Sequence, residues 1–250
     1  MRELSDFSRS APVLFVEECS STNTLMKELA LKGQPPGTVL IASRQSGGRG
    51  RMERRFASPE GGLYLSMLLS PSCTAEQSLS ITPCTAVAVH RAVRALWGID
   101  ADIKWPNDLL YKGRKICGIL SESVFFQERQ LLVLGVGLNV ATRPEAFPEE
   151  LRDTAASLLS LCGTAPDIDS AGAELISQLD RMYSLWQTEP AAFLAEYRQH
   201  CVNPGRQVSL IRNGQPRPAR ALDIDDNYAL VVEYADKTLE HISYGEVSLR

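Results

Sequence analysis

The stretch SRQSGGRGRMERRF, residues 43 to 56, places five arginines and three glycines within the twelve residues from Arg44 to Arg55, with Glu53 the one acid among them. Consecutive glycines let backbone N–H groups turn toward an anion, and arginine supplies planar, permanently charged donor forks that fit phosphate or carboxylate. Such a loop suits a nucleic-acid backbone, a small phosphorylated ligand, or solvent alone. The familiar nucleotide signatures do not decide: no GxxxxGK[ST] occurs, and the GxGxx that begins at Gly48 meets Glu53 where a sixth-position glycine is required.

Two further clusters carry reactive groups. KWPNDLL, from Lys104 to Leu110, is followed closely by GRKICGIL, from Gly113 to Leu120. Pro106 removes a donor and biases Trp105 toward an extended backbone, which sets Asn107 and Asp108 at a strand edge or turn between Lys104 and Lys115. Taken alone, the motif also fits a plain turn beside a core tryptophan. In GVGLNV, Gly135 to Val140, two glycines weaken a strand unless a ligand or another chain segment must come close, and Asn139 adds a donor and an acceptor. A strand crossing a packed helix fits that segment as well.

The elements that must position these groups follow from apolar periodicity. Strands are expected at 13–16, 39–42 and 63–70, and helices over 24–31 and 86–97. The first helix start is marked by Ser20, Ser21, Thr22 and Asn23, and the second helix ends at Gly98. The middle is strand-rich, with ADIKW, DLLYKGRKICGILSES turning at Lys112–Gly113, and QLLVLGVGLNV. Leu175, Leu179, Met182 and Trp186 form a helical stripe, and Phe193 and Tyr197 sit one turn apart in a second helix; core packing explains both. After Asn203-Pro204-Gly205 the texture changes to QVSLI, ALVVEY and TLEHISY, separated by Asn-Gly and Asp-Asp-Asn turn signals, which predicts a small β-barrel from Gly205 to Arg250.

At 250 residues and 44% hydrophobic composition, the chain has room for one large and one small domain. With 26 Lys+Arg against 30 Asp+Glu the net charge is −4, so any anion site must be local. The six cysteines come no closer than the eleven residues between Cys73 and Cys84, which excludes CxxC redox chemistry and a zinc knuckle and fits a reducing cytosol. Charges fall where a signal peptide needs its apolar stretch, and no run approaches the ~18 residues of a membrane span. A soluble, cytoplasmic protein with no membrane partner is expected.

In this order, SSTN at 20–23, GGRGR at 47–51, KWPND at 104–108, RKICGIL at 114–120, GVGLN at 135–139 and GEVSLR at 245–250 resemble the biotin protein ligases. The ordered set is far more specific than any member of it. The resemblance implies an α+β fold: a catalytic domain like that of class II aminoacyl-tRNA synthetases over 1–203, then an SH3-like β-barrel over 204–250. It implies two half-reactions with ATP and biotin as substrates and Mg²⁺ entering with ATP. Biotin is activated as biotinyl-5′-AMP, then transferred to a lysine of the biotin carboxyl carrier protein of acetyl-CoA carboxylase.

By position, Ser21, Thr22, Asn23, Gln45, Arg49, Gly50, Arg51, Lys115 and Gly118 match the family's biotin pocket and its covering loop. Arg49, Arg51, Lys104, Asn107, Lys115 and Asn139 match its nucleotide site, with Gly135 and Gly137 lining the adenylate pocket. Lys115, Arg51 and Asp108 are the expected catalytic groups, since a fixed cation offsets charge that grows as two anions meet. No residue is expected to ligate a metal.

The sequence departs from the family at Glu53, where the loop usually has a glycine. The first strand begins at Val13, leaving no space for the winged-helix DNA-binding domain of some members, so a ligase without a specific DNA partner is expected. Family members vary in oligomeric state, which admits a homodimer. A lipoate or octanoate ligase is the nearest rival, and an RNA-binding module is a rival of another class. For the latter, Phe56 and Tyr64 are the only aromatic residues near the loop.

Overall fold

A computed structural model describes residues 1–4, 9–164, 167–212 and 215–249. In chain order its larger part contains β1 (Arg2–Leu4), β2 (Val13–Cys19), α1 (Thr22–Leu31), β3 (Val39–Gln45), β4 (Leu63–Leu69), α2 (Ala75–Ser78), α3 (Ile81–Trp97), β5 (Asp102–Lys104), β6 (Asp108–Tyr111), β7 (Arg114–Phe126), β8 (Arg129–Leu138), α4 (Leu158–Cys162), α5 (Ile168–Trp186) and α6 (Leu194–His200). The smaller part contains β9 (Gln207–Arg212), β10 (Gln215–Ile224), β11 (Leu230–Glu233), β12 (Leu239–Ile242) and β13 (Glu246–Leu249).

The large sheet has eight strands in the order β1-β2-β3-β4-β8-β7-β6-β5. Only the β2–β3 pair is parallel. Strand alternation divides its faces. Leu63, Leu65, Met67 and Leu69 of β4 join the core under α3 and α5, while Leu68, Val133 and Leu131 pack beneath Met26, Leu29 and Ala30 of α1. Farther along the α1 face the large apolar residues give way to Ser66, Gly135, Gly137 and Gly118. Only the first turn of α1 reaches over that stretch among the described residues.

Local chemistry moves some boundaries from those expected. α3 starts at Ile81 rather than 86 because Pro83 lies in the first turn, where no intrahelical donor is needed. It ends at Gly98 in the left-handed region, φ 66°, as expected. α1 starts at Thr22 rather than 24, and Ser21 makes no side-chain cap. The Lys112–Gly113 turn has φ of 50° and 75°, the pattern of a tight two-residue hairpin. The short strand β1 and helices α2 and α4 carry too little periodicity to be read.

The smaller part is a five-stranded antiparallel sheet, order β12-β11-β10-β9-β13. The expected barrel therefore stands as a sheet with no β12–β13 ladder among the described residues. Its longest strand, β10, does not read as a strand because of Pro216 and Pro218. Both lie where β10 pairs only with β9, since β11 joins from Arg220 onward, so no second strand needs their missing N–H groups. The Asn213–Gly214 turn lies outside the described residues. The Asp-Asp-Asn turn is present: Asp225 Oδ1 accepts from the N–H groups of Asn227 and Ala229, each at 2.9 Å.

Tyr228 joins the two parts. Its hydroxyl donates to the Pro190 carbonyl at 2.6 Å, its carbonyl accepts from Trp105 Nε1 at 2.9 Å, and its ring meets Tyr197 edge-on at 5.6 Å. Asn203 Oδ1 accepts from the Trp105 N–H at 2.7 Å, which pins the connection between the parts beside the KWPND turn. Removing the hydroxyl leaves the Pro190 carbonyl only the weak Cys84 Sγ donor, at 3.7 Å, so Tyr228→Phe is expected to lower unfolding free energy by about 0.5–1.5 kcal/mol. Urea denaturation reads this, and a change below about 0.3 kcal/mol would show that water replaces the bond.

Candidate active site

A cavity of about 690 Å³ opens between the bare stretch of the large sheet, the arginine loop and β13. Every residue singled out from the sequence lines it: Ser21, Thr22, Asn23, Gln45, Arg49, Gly50, Arg51, Lys104, Asn107, Asp108, Lys115, Gly118, Gly135, Gly137 and Asn139. Arg54 and Arg55 line it too. Arg44, the remaining arginine of the stretch, turns away to surface pairs with Glu18 at 2.8 Å and Glu60 at 3.2 Å.

One end of the cavity is a closed polar network at the start of α1. Gln45 Oε1 accepts from the Thr22 N–H at 2.7 Å and the Thr22 hydroxyl at 3.1 Å, while Gln45 Nε2 donates to Ser58 Oγ at 2.7 Å. Ser66 Oγ lies 2.8 Å from Thr22 Oγ1 and 2.6 Å from Asn23 Oδ1. The residues that looked like helix caps are thus engaged sideways, with β3, β4 and β7. Asn23 fits because Gly135 has no side chain: a Cβ there would lie 2.3 Å from Asn23 Oδ1.

The arginine loop crosses the sheet, with Gly47 N–H bonded to Ser20 O at 2.8 Å at its base and side chains reaching fixed partners beyond it. Arg49 pairs with Glu122 on β7 at 3.3 Å, and Arg51 donates to Asn107 Oδ1 at 3.2 Å. The Phe56 ring covers Gly118 and Gly137, which face each other across β7 and β8, and a Cβ on Gly137 would lie 2.5 Å from it. What comes close at both GVGLNV glycines is therefore the chain itself. The turn of the loop places Met52 at φ 52° and Glu53 at φ 62°, both left-handed. Glu53 is exposed and makes no ion pair among the described residues.

The opposite end holds a lysine. Lys115 Nζ lies 2.6 Å from Asp108 Oδ1 and 5.5 Å from the centre of the Phe56 ring. Its backbone is clamped, with N–H to Thr154 O at 2.7 Å and C=O from Ala156 N at 3.0 Å. Asn139 Nδ2 bridges Lys115 O at 3.4 Å and Ala156 O at 3.2 Å, leaving its buried Oδ1 with no partner among the described residues. Trp105 is a core residue while its neighbours Lys104, Asn107 and Asp108 line the cavity, so both readings of KWPND hold at once.

Sequence reasoning missed Glu122, Lys27, Ser58 and Ser66, whose role is to hold other site residues, and also the β13 residues Val247 and Ser248 of the wall. Burial raises the Glu122 carboxyl, but hydrogen bonds from Lys27 and Asn23 and the charges of Lys27 and Arg49 outweigh it and hold the group below the usual carboxylate range. With its folded value depressed, this carboxylate's contribution is complete above about pH 4.5 and is lost only as pH falls through the lower folded value. Among the described residues no group of three His, Cys, Asp or Glu could hold a metal.

Residues 15–139 match the Biotin/lipoate A/B protein ligase family, and residues 205–250 match the Biotin protein ligase C terminal domain. The chain belongs to the biotin protein ligases of that family. It is 34% identical over 228 residues to the "Bifunctional ligase/repressor BirA" of Bacillus subtilis, an alignment covering 88% of this chain and 69% of that protein. It is 32% identical over 239 residues to the "Biotin--[acetyl-CoA-carboxylase] ligase" of Mycobacterium tuberculosis, covering 93% of this chain and 86% of that protein. Among solved structures, the biotin protein ligase of Aquifex aeolicus in complex with biotin and ATP superposes with a TM-score of 0.84 at 26% identity, covering 97% of this chain and 99% of that one.

The left-handed glutamate carries a test. Holding a non-glycine residue there costs about 1–2 kcal/mol, and glycine gives back about 0.5–1 kcal/mol through its freer unfolded state. Glu53→Gly should therefore favour the closed loop by about 0.5–1 kcal/mol, read as an apparent KM about two- to fivefold lower for the ligand that the loop covers. A higher KM would show that the carboxylate itself serves the closed loop.

Proposed function

We infer that this chain is an ATP-dependent ligase that activates biotin and passes it to a lysine of a biotin carboxyl carrier protein, the acetyl-CoA carboxylase subunit. The observation that carries the reading is the Lys115 ammonium, fixed against Asp108 in a cavity roofed by an arginine loop. A carboxylate oxygen of biotin attacks the α-phosphorus of ATP, the bond to pyrophosphate breaks, and biotinyl-5′-AMP forms. The neutral ε-amine of the target lysine then attacks the acyl carbon, the bond to AMP breaks, and the amine gives up one proton.

Lys115 and Arg51 offset the charge gathering on the phosphate oxygens, and Asp108 orients Lys115. The Ser21, Thr22, Asn23 and Gln45 end receives biotin, with Gly50 and Gly118 giving clearance. Lys104 and Asn107 border the nucleotide. Asn139 offers its unpaired Oδ1 to an amino donor such as that of adenine, since a buried acceptor without a donor costs about 1–3 kcal/mol. Mg²⁺ enters with ATP as the substrate complex.

Finer statements belong to the same reading. The catalytic domain, 1–203, is akin to class II aminoacyl-tRNA synthetases, and 204–250 is an SH3-like domain. The described cysteines are all free and no helix of the described residues is long and apolar enough to cross a membrane, which supports a cytoplasmic setting. Net charge of −4 argues against a specific DNA partner, and a homodimer is compatible with the fold.

Biotin-dependent exchange of pyrophosphate into ATP tests the reading. Wild-type chain should exchange with biotin and not with lipoate, and Lys115→Ala should lose ~10²–10³ in rate while its melting temperature stays close to wild type. Exchange within about threefold of wild type would remove Lys115 from the mechanism.

A further inference from the structure

We propose that Glu122 is the anchor of the arginine loop: a positioning residue, outside the cavity lining, that fixes Arg49 and thereby keeps Arg51 over the site. The carboxylate sits where three segments meet. Lys27, one turn along α1 from Asn23, donates to Oε1 at 2.6 Å, and Asn23 Nδ2 donates to Oε2 at 2.9 Å. Arg49 reaches the same Oε1 at 3.3 Å. The Glu122 side chain is 16% exposed and that of Arg49 is 49%, so a held carboxylate captures a loop side chain that water would otherwise take.

The direction of control follows from what holds each partner. Glu122 lies on the β7 stretch paired with β8, and its two other donors come from a helix packed on that sheet. Arg49 lies in a loop whose backbone bonds are mainly its own: Gly50 N to Arg54 O at 2.7 Å, Phe56 N to Gly48 O at 2.9 Å, and a bridge between Arg49 and Arg55. The loop can therefore move as a unit, and its side-chain ties decide where it rests. The Arg51–Asn107 bond and the Phe56 contact lie on the cavity side; toward α1 the loop is held at its base by the Gly47 N–H to Ser20 O bond, 2.8 Å, and farther out by the Arg49–Glu122 pair. Arg49 thus serves the structure as a tether, leaving Arg51 as the loop arginine set toward the reacting phosphate. What the loop retains rests on the biotin-ligase reading; the tether itself does not.

Limited trypsin digestion of the ligand-free chain, with cleavage sites mapped by mass, tests the tether without any substrate. In Glu122→Gln, cleavage after Arg51, Arg54 and Arg55 should rise about three- to tenfold, while cleavage elsewhere and the melting temperature stay near wild type. Raising salt should speed loop cleavage in the wild type and much less in the variant, because an ion pair is screened and an amide is not. Arg49→Ala should reproduce the effect, and adding Glu122→Gln to it should add nothing. As the functional readout, release of preformed biotinyl-5′-AMP should quicken by a similar factor in both variants.

Loop cleavage unchanged in Glu122→Gln, or a double variant whose effect is the product of the singles, overturns the anchor. If Glu122→Gln fails to fold, Arg49→Ala with its loss of salt dependence decides alone. A wild-type chain without pyrophosphate exchange would instead overturn the ligase reading, leaving the digestion result standing.

Discussion

The proposed reaction depends on the placement of one ammonium group in a chain of net charge −4. Two anions must be brought together for an acyl phosphate to form, and only a cation that cannot drift helps at the moment of reaction. Lys115 is held from four directions: Asp108 on its nitrogen, the Phe56 ring over it, the 154–156 segment on its backbone and Asn139 bridging the two. Strand β7 supplies it, and the turn at Lys112–Gly113 sets Lys115 opposite Leu110 on β6, two residues along that strand from Asp108.

A second constraint is the bare stretch of one sheet face. Under α1 the strands present Leu68, Leu131 and Val133. A few residues farther along the same strands they present Ser66, Gly135, Gly137 and Gly118, and the space so created admits Asn23 and Phe56. The same face is thus core at one end and site floor at the other, so α1 can carry both Met26, packed in the core, and Asn23, set in the network. The loop over this floor needs backbone in the left-handed region at Met52 and Glu53 and is held by side chains more than by ladders.

What the sequence shows depends on whether the signal is local. Gly98 ends a helix because a left-handed residue is needed there, and the period of Leu175, Leu179, Met182 and Trp186 requires a buried stripe; both are legible from neighbours along the chain. The residues picked out by the ordered match to a family all line one cavity. Glu122 escaped notice because its partners stand at 23, 27 and 49, with no spacing that a strand or helix would impose. The glycines of GVGLNV signalled a close approach without naming what approaches. Ser20 to Asn23 promised a cap, but tertiary partners at Gln45 and Ser66 took the side chains of Thr22 and Asn23. Strand β10 was hidden by prolines whose tolerance depends on where β11 begins.

The most direct measurement is the intact mass of a biotin carboxyl carrier domain incubated with this chain, biotin and Mg-ATP. The expected result is a gain of a single biotinyl group on one lysine of the carrier, absent when ATP is withheld. An unchanged carrier mass in the presence of chain that is folded and binds biotin would contradict it.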